Sequence, residues 1–162
     1  MANRFSRIVN NIKKLPKGTH SFFLTKLFCS QVKYASTSKV ILVDVKQTEV
    51  KLLMKNSKRV QNHIGGVHAI AAALLAESAT GIVFGMNLPD SGLPLLKSMT
   101  INYQRRMQGD LTAVATISAE QISLLTQEKG NMEIAVVITD ESREQPIECL
   151  MTWAWITKKS KK

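Results

Sequence analysis

The sequence predicts an α+β fold in which an antiparallel sheet wraps around one long central helix. The segment from Gly66 to Val83 is rich in alanine and leucine and is apolar nearly all round, so we expect this helix to be enclosed. Runs rich in β-branched residues precede and follow it, which is typical of strands. One enclosed helix among strands at hairpin spacing favours a sheet that wraps around that helix.

The chain before the central helix predicts helices and then strands. A basic amphipathic pattern that ends at Pro16 predicts the first helix, and Thr19 or Ser21 is suited to cap a second one. Two β-branched runs joined by a turn near Gln47 predict a pair of strands. The segments are a helix at 4–14, a helix from about 19, strands at 40–45 and 49–54, and a polar loop at 55–65.

The chain after the central helix predicts antiparallel strands. Gly85, Pro89 and Pro94 punctuate the connection that leads to them. Alternation is clearest where Ala113 and Ala115 share one face of a strand. The predicted strands are 96–106, 111–119, 132–139 and 147–157.

The positive charge of the chain is concentrated at its ends. Lys and Arg total 22 against 12 Asp and Glu, which gives a net charge of +10. Residues 1–43 contain eight cations and no acid, whereas residues 44–157 contain ten cations and twelve acids and sum to −2. We therefore divide the chain into a basic N-terminal extension (1–18), a single domain (19–157) and a basic tail (158–162). A near-neutral body argues against a nucleic-acid-binding protein, which needs a basic face.

Other classes of protein are disfavoured by composition. Cys29 and Cys149 lack the spacing of a disulfide framework or a zinc site, so we expect no metal. Polar residues interrupt the longest apolar stretch, which argues against a transmembrane segment. We expect a cytoplasmic protein, with a mitochondrial location as the alternative if the basic N-terminus is a presequence.

Candidate functional residues cluster around the start of the central helix. The segment Asn62 to His68 is a polar loop with an amide, two histidines and the flexible pair Gly65-Gly66. The first turn of the helix leaves amide N–H groups unpaired, and these are suited to polarise a carbonyl group.

Glu77 is the other candidate, because it is the only carboxylate between Glu49 and Asp90. Burial in an apolar helix raises the pKa of such a group and suits it to act as a base or nucleophile. His68 and Glu77 are nine residues apart, so they project from opposite sides of the helix, roughly 13 Å apart along it. A site that uses both must combine two subunits.

These residues resemble the hotdog-fold acyl-CoA thioesterases. The pattern Asn-x-x-Gly-x-x-His (Asn62 to His68), followed by an alanine-rich helix with an acid nine residues after the histidine, is similar to their phenylacetyl-CoA-type branch and to a bacterial group reading Asn-His-Ile-Gly-x-x-His-Ala. The segment Ser98–Tyr103 with Gly109-Asp110-Leu111 is similar to that superfamily's strand and turn after the helix. The resemblance covers about residues 20–157.

The resemblance implies a hydrolase that cleaves an acyl-CoA or acyl-carrier thioester as a homodimer or homotetramer (a dimer of dimers). It implies no cofactor, since coenzyme A enters as part of the substrate. The implied roles are a base or nucleophile (Glu77), orientation of water or the carbonyl (Asn62), positioning (His68), the oxyanion site (Gly66, Ala69) and binding of CoA phosphates (Arg105, Arg106).

Two alternatives remain open. Many relatives have two glycines after the helix-start histidine, where this chain has Ala69-Ile70. The larger side chains at these two positions are compatible with a non-catalytic acyl-CoA-binding module as well as with an enzyme. A nucleic-acid-binding protein is the second alternative. A hotdog dehydratase is disfavoured, because the sequence has no His-Phe-Pro segment with a later helical acid.

Overall fold

The computed structural model describes residues 3–158, so the ends of the predicted basic extension and tail (1–2 and 159–162) lie outside the described residues. Its helices are α1 (Arg4–Ile12), α2 (His20–Gln31), α3 (Lys33–Thr37), α4 (Ala69–Asn87) and α5 (Ala119–Leu124). Its strands are β1 (Ile41–Val45), β2 (Glu49–Met54), β3 (Gly92–Tyr103), β4 (Leu111–Thr116), β5 (Lys129–Thr139) and β6 (Ile147–Thr157).

The six strands form one antiparallel sheet in the order β1-β2-β4-β5-β6-β3. Its inner face holds alternate residues such as Ala113 and Ala115, both fully buried. This face curves around α4, twelve residues of which are buried. The prediction of an α+β fold with a sheet wrapped around one long helix is confirmed.

Aromatic side chains of β6 pack against the C-terminal half of α4. Trp153 stacks on Phe84 with ring centroids 5.7 Å apart, and Trp155 lies at 6.0 Å from the same ring. The Trp153 indole N–H donates to the Thr80 hydroxyl at 2.9 Å, so its polar group is satisfied inside the core. Among residues 3–158, α4 is the one helix long and apolar enough for a membrane span, and most of it is buried inside the protein.

The expectation that α4 is enclosed nearly all round is wrong for one side. A stripe of five residues at helical spacing (Ile70, Leu74, Glu77, Gly81, Gly85) escapes full burial and occupies about 80° of the helix surface. Gly81 is covered by Trp153 of β6, and Gly85 lies against Phe5 of α1. The remaining three lie at the N-terminal half of α4, where the chain's own sheet leaves the helix uncovered.

Several boundaries differ from the predicted ones. The helix predicted from Gly66 to Val83 begins at Ala69 and runs to Asn87. Gly85 does not end it, and this glycine lies against Phe5 of α1 inside the helix. Strand β3 begins at Gly92 instead of residue 96, and Pro94 is tolerated there because β3 is an edge strand. The short helices α3 and α5 were not predicted.

The N-terminal helices pack against the domain. The Asn3 side chain donates to the carbonyls of Gly85 and Leu88 at 2.7 and 2.5 Å, which fixes α1 against the C-terminal end of α4. Helix α2 buries Leu24 and lies against β1, where the Thr25 hydroxyl accepts from the amide of Leu42 at 2.9 Å.

Candidate functional site

The loop that precedes α4 is organised by Asn62. Its side-chain oxygen accepts from the amides of Ile64 and Gly66, both at 3.1 Å. The backbone closes the same turn, since Gly65 adopts a φ of +78° and Asn62 N–H donates to the Gly66 carbonyl at 2.9 Å. The carboxamide oxygen of Asn62 is therefore used within the loop, and its Nδ2 group is the part that remains for a ligand.

His68 is the N-cap of α4. Its Nδ1 accepts from the amide of Ile70 at 3.1 Å, which assigns the proton of the neutral imidazole to the exposed Nε2. Its own amide donates to the Val60 carbonyl at 2.7 Å, and its carbonyl accepts from Ala72. Within the described residues, the amides of Ala69 and Ala71 have no hydrogen-bond partner, so two N–H groups at the start of α4 are left for an oxyanion or a carbonyl.

Gly66 lies where the loop meets the connection after β3. A Cβ at this position would lie 3.2 Å from the Met107 carbonyl oxygen, so a side chain would force the two segments apart. The Arg106 side chain joins the same segments by donating to the Ile64 carbonyl at 2.5 Å. Gly66 and Arg106 thus hold the loop in place beside the start of α4.

Two contacts define how α4 lies along the edge strand β3. The Tyr103 hydroxyl donates to the Ala69 carbonyl at 2.9 Å, so the end of β3 meets the start of α4. Near the other end, Gly81 faces Trp153, whose partner on β3 is Leu96. The helix therefore runs antiparallel to the strand.

Glu77 lies at the level of Met99 on β3. Eight residues of helix from Ala69 to Glu77 and four residues of strand from Tyr103 to Met99 both rise roughly 12–13 Å. Met99 and Tyr103 pair with the buried Met151 and Ile147, so they belong to the inner face of the sheet. Nevertheless they are 46% and 47% exposed, because α4 does not cover them.

We call this uncovered region the open face. It combines the side of α4 that the sheet leaves free with the inner side of the edge strand. Its members are Ile70, Leu74, Glu77, Met99 and Tyr103. A single carboxylate at the centre of an otherwise largely apolar surface is the chemical feature of the open face.

The carboxyl group of Glu77 is half-buried, and this burial raises its pKa above the ordinary value for glutamic acid. No basic side chain within residues 3–158 forms a salt bridge with it. A carboxylate that is partly desolvated and not neutralised by a cation retains its basicity, as a general base requires.

The two arginines predicted to bind CoA phosphates have different surroundings. Arg105 binds the buried Asp140 through both terminal nitrogens at 2.8 and 3.1 Å, and its Nε lies 3.2 Å from Glu144. Burial opposes ionisation of Asp140, but Arg105 and Ser142 hold the pKa of this carboxyl well below its ordinary value. Arg105 is thus already paired with acids of its own chain, whereas Arg106 is exposed.

The structure brings Asn62, Gly66, His68, Ala69 and Arg106 to one end of α4. Glu77 of the same chain lies apart from them, about 12 Å along the helix from Ala69. Sequence reasoning missed Tyr103, because nothing in its spacing signals a bond to the helix. It also missed a cavity of about 330 Å³ beside His68, to which Tyr34 of α3 contributes.

The chain belongs to a structural class that solved structures define well, the hotdog fold. One is a protein of unknown function from Pseudomonas aeruginosa described as a "Probable Thioesterase"; it is 24% identical, with a TM-score of 0.75, and the match covers 83% of this chain and 93% of that one. A thioesterase from Haemophilus influenzae is 18% identical with a TM-score of 0.67, covering 85% and 90%. A thioesterase mutant from Staphylococcus aureus is 18% identical with a TM-score of 0.66, covering 76% and 98%.

Within that class, the chain belongs to the family described as Domain of unknown function (DUF4442), which matches residues 20–156. A search of the curated proteins gave no significant match.

Proposed function

We propose that the protein hydrolyses an acyl-CoA or acyl-carrier thioester, with Glu77 as base or nucleophile, at a site shared by two copies of the chain. The observation that carries the proposal is Glu77 itself, a half-buried carboxylate at the centre of the open face that forms no salt bridge within residues 3–158. The names of the Haemophilus and Staphylococcus proteins of the same fold support a thioesterase.

A second copy is needed because a single chain keeps its base, Glu77, apart from the amides that would stabilise the oxyanion. The free amides of Ala69 and Ala71 are too far from Glu77 to contact one carbonyl group together. The edge strand β3 pairs on one side only, which leaves a row of backbone groups able to pair with another β3. A two-fold dimer formed there covers both open faces and places Glu77 of one chain opposite the α4 start of its partner.

The reaction follows from these groups. The Glu77 carboxylate removes a proton from water while the water oxygen attacks the thioester carbon. The resulting oxyanion accepts hydrogen bonds from the amides at the start of α4. Collapse of this intermediate breaks the C–S bond, and protonated Glu77 returns its proton to the leaving thiolate. In the alternative nucleophilic route, the carboxylate itself attacks the carbon and the C–S bond breaks, which releases the thiolate and leaves a mixed anhydride on Glu77. Water then hydrolyses this anhydride, which releases the acid, regenerates the Glu77 carboxylate and supplies the proton that the thiolate takes up.

The remaining residues position the substrate. Asn62 Nδ2 is available to hold the water or the carbonyl oxygen, and His68 Nε2 is an exposed donor beside the same helix start. Arg106 is the better placed of the two arginines to meet a CoA phosphate, because Asp140 already occupies Arg105.

Hydrolysis of a panel of acyl-CoAs, followed by detection of the released thiol, tests the proposal. We expect Glu77→Gln to lower kcat by at least ~10²-fold, the lower end of what a positioned base contributes. Glu148→Gln is the matched control, because this acid is exposed on β6 and should leave the rate unchanged. Unchanged turnover in Glu77→Gln contradicts the mechanism.

One observation favours the second candidate, a module that binds acyl-CoA without cleaving it. Ile70 follows the first residue of α4, is 56% exposed, and lines the same cavity as His68. A branched side chain here narrows the approach to the free amides. Binding of CoA without turnover, together with turnover gained in Ile70→Gly, would establish this second function.

A further inference from the structure

The outer side of α2 carries two neighbouring phenylalanines. Phe22 is 64% exposed and Phe23 is 40% exposed, and their rings meet edge to face with centroids 5.3 Å apart. Phe22, Phe23 and Lys26 lie within about 100° of the helix surface, on the side opposite the buried Leu24. Two exposed aromatic rings next to a lysine are unlike the solvated polar face expected of a surface helix.

The same part of the protein carries unneutralised positive charge. Residues 3–39 contain no acidic residue. Two of their basic side chains are paired with acids elsewhere, Arg7 with Asp90 at 3.5 Å and Lys13 with Asp44 at 3.2 Å. Five exposed lysines form no salt bridge within the described residues: Lys14, Lys17, Lys26, Lys33 and Lys39.

A groove joins the aromatic and basic features. It has a volume of about 500 Å³ and lies between α2, α3 and the start of β1. Phe22, Lys26 and Lys39 stand along it, and Cys29 and Val40 contribute to its apolar lining. Lys33 extends the charge along α2, since its ammonium donates to the Ser30 carbonyl at 2.5 Å. We call this surface the Phe–Lys face, comprising Phe22, Phe23, Lys26, Lys33 and Lys39.

We propose that the Phe–Lys face binds the surface of a negatively charged phospholipid bilayer. Aromatic and aliphatic side chains insert at the headgroup boundary, and lysines next to them are attracted to anionic lipids. The body of the chain is slightly acidic, so the charge favours one orientation, with α2 toward the membrane and the sheet away from it. This binding is independent of hydrolysis at Glu77.

Charge complementarity favours a membrane over a second copy of the chain. Two Phe–Lys faces in contact would bring like-charged lysines together in an interface that contains no acid from residues 3–39. An anionic bilayer instead neutralises every lysine and accepts both aromatic rings.

Sedimentation of the full chain with vesicles tests this proposal. We expect binding to phosphatidylcholine vesicles that contain about a third phosphatidylglycerol, at least tenfold weaker binding to pure phosphatidylcholine, and weakening with added salt. The triple variant Lys26→Gln, Lys33→Gln, Lys39→Gln should lose about fivefold per lysine, which corresponds to ~1 kcal/mol each. Phe22→Ser with Phe23→Ser should lose roughly tenfold or more.

Matched controls use exposed residues of the same types elsewhere. The control for the lysines is the triple variant Lys51→Gln, Lys55→Gln, Lys129→Gln, which removes the same amount of charge from exposed positions on and beside the sheet. The control for the phenylalanines is Leu124→Ser, which removes an apolar side chain that is 43% exposed on α5. Each variant is checked by its thermal unfolding midpoint. Because the substituted side chains are exposed, we expect normal folding.

Three results would overturn the proposal. Absence of binding of the folded wild-type chain to anionic vesicles is the first. Equal losses in the control and Phe–Lys variants are the second, since they indicate nonspecific attraction. The third is a change of oligomeric state in the Phe22→Ser, Phe23→Ser variant with vesicle binding retained, which assigns the face to a second copy.

Discussion

Asp140→Asn should be among the more destabilising conservative substitutions in this protein. The Asp140 side chain is fully buried, and each of its oxygens is occupied. Oδ2 accepts from Arg105 at 2.8 Å and from the Gln108 amide at 2.9 Å, while Oδ1 accepts from Arg105 and from the amide and hydroxyl of Ser142. Asparagine must place an NH₂ group at one oxygen position, and the Oδ2 side is the less costly choice.

The loss can be estimated from the two donors left facing that NH₂ group. Hydrogen bonds that involve a charged group contribute about 1.5 kcal/mol or more, so the variant should lose about 3 kcal/mol. For a domain of this size this lowers Tm by roughly 6–12 °C. Glu144→Gln is the control, because Glu144 also meets Arg105 but is 70% exposed, and it should cost no more than ~0.5 kcal/mol.

Urea unfolding at several pH values provides the assay. The pKa of Asp140 is lowered in the folded state, so its stabilising contribution is complete above the unfolded value of 3.8 and is lost as pH falls toward the folded pKa. The difference between wild type and Asp140→Asn should therefore shrink below about pH 4. A loss at neutral pH as small as that of Glu144→Gln would refute the reasoning.

Three further outcomes are expected. Glu77→Gln should raise stability at pH 7 while removing activity, because the raised pKa means that the folded state disfavours the carboxylate; the gain should vanish in acid, as measured by urea unfolding. Gly81→Ala should destabilise the protein by about 1 kcal/mol. A Cβ 2.8 Å from the Trp153 ring costs ~1–3 kcal/mol by overpacking, and the higher helix propensity of alanine offsets ~1 kcal/mol of this cost. A rise in Tm would contradict this prediction. Cys149, whose pKa burial raises to about 11, should react with iodoacetamide at pH 8 far more slowly than a free thiol, and an equal rate by mass spectrometry would show that it is not protected.

The central helix and the strands could be predicted because the residue types within each segment indicate its secondary structure. Alanine-rich α4 and the β-branched strands each carry their own local signal. The C-terminal boundary of α4 could not be predicted in this way. Gly85 resembles a helix-ending glycine in the sequence, but in the structure it lies within the helix and contacts Phe5. Helix α5 does carry a local signal in the sequence, the capping box formed by Ser118 and Gln121.

The candidate site was likewise predictable only in part. Glu77 stands out in the sequence because it is the lone acid of an apolar helix. The open face around it does not, since hydrophobicity shows that a side chain avoids water but not whether its own sheet or another chain covers it. The resemblance implies a CoA-binding role for both Arg105 and Arg106, but the partner of Arg105 in the structure is Asp140, which is 35 residues away in the chain.

The Asn3 side chain, which binds two carbonyls at the end of α4, has a consequence for how the protein folds. The family match begins at residue 20, yet α1 precedes it and buries Val9 against the rest of the molecule. A chain shortened to the matched segment would leave the last turn of α4 without these donors and expose the surface under Val9. The folded unit of this protein therefore begins before the segment that defines the family.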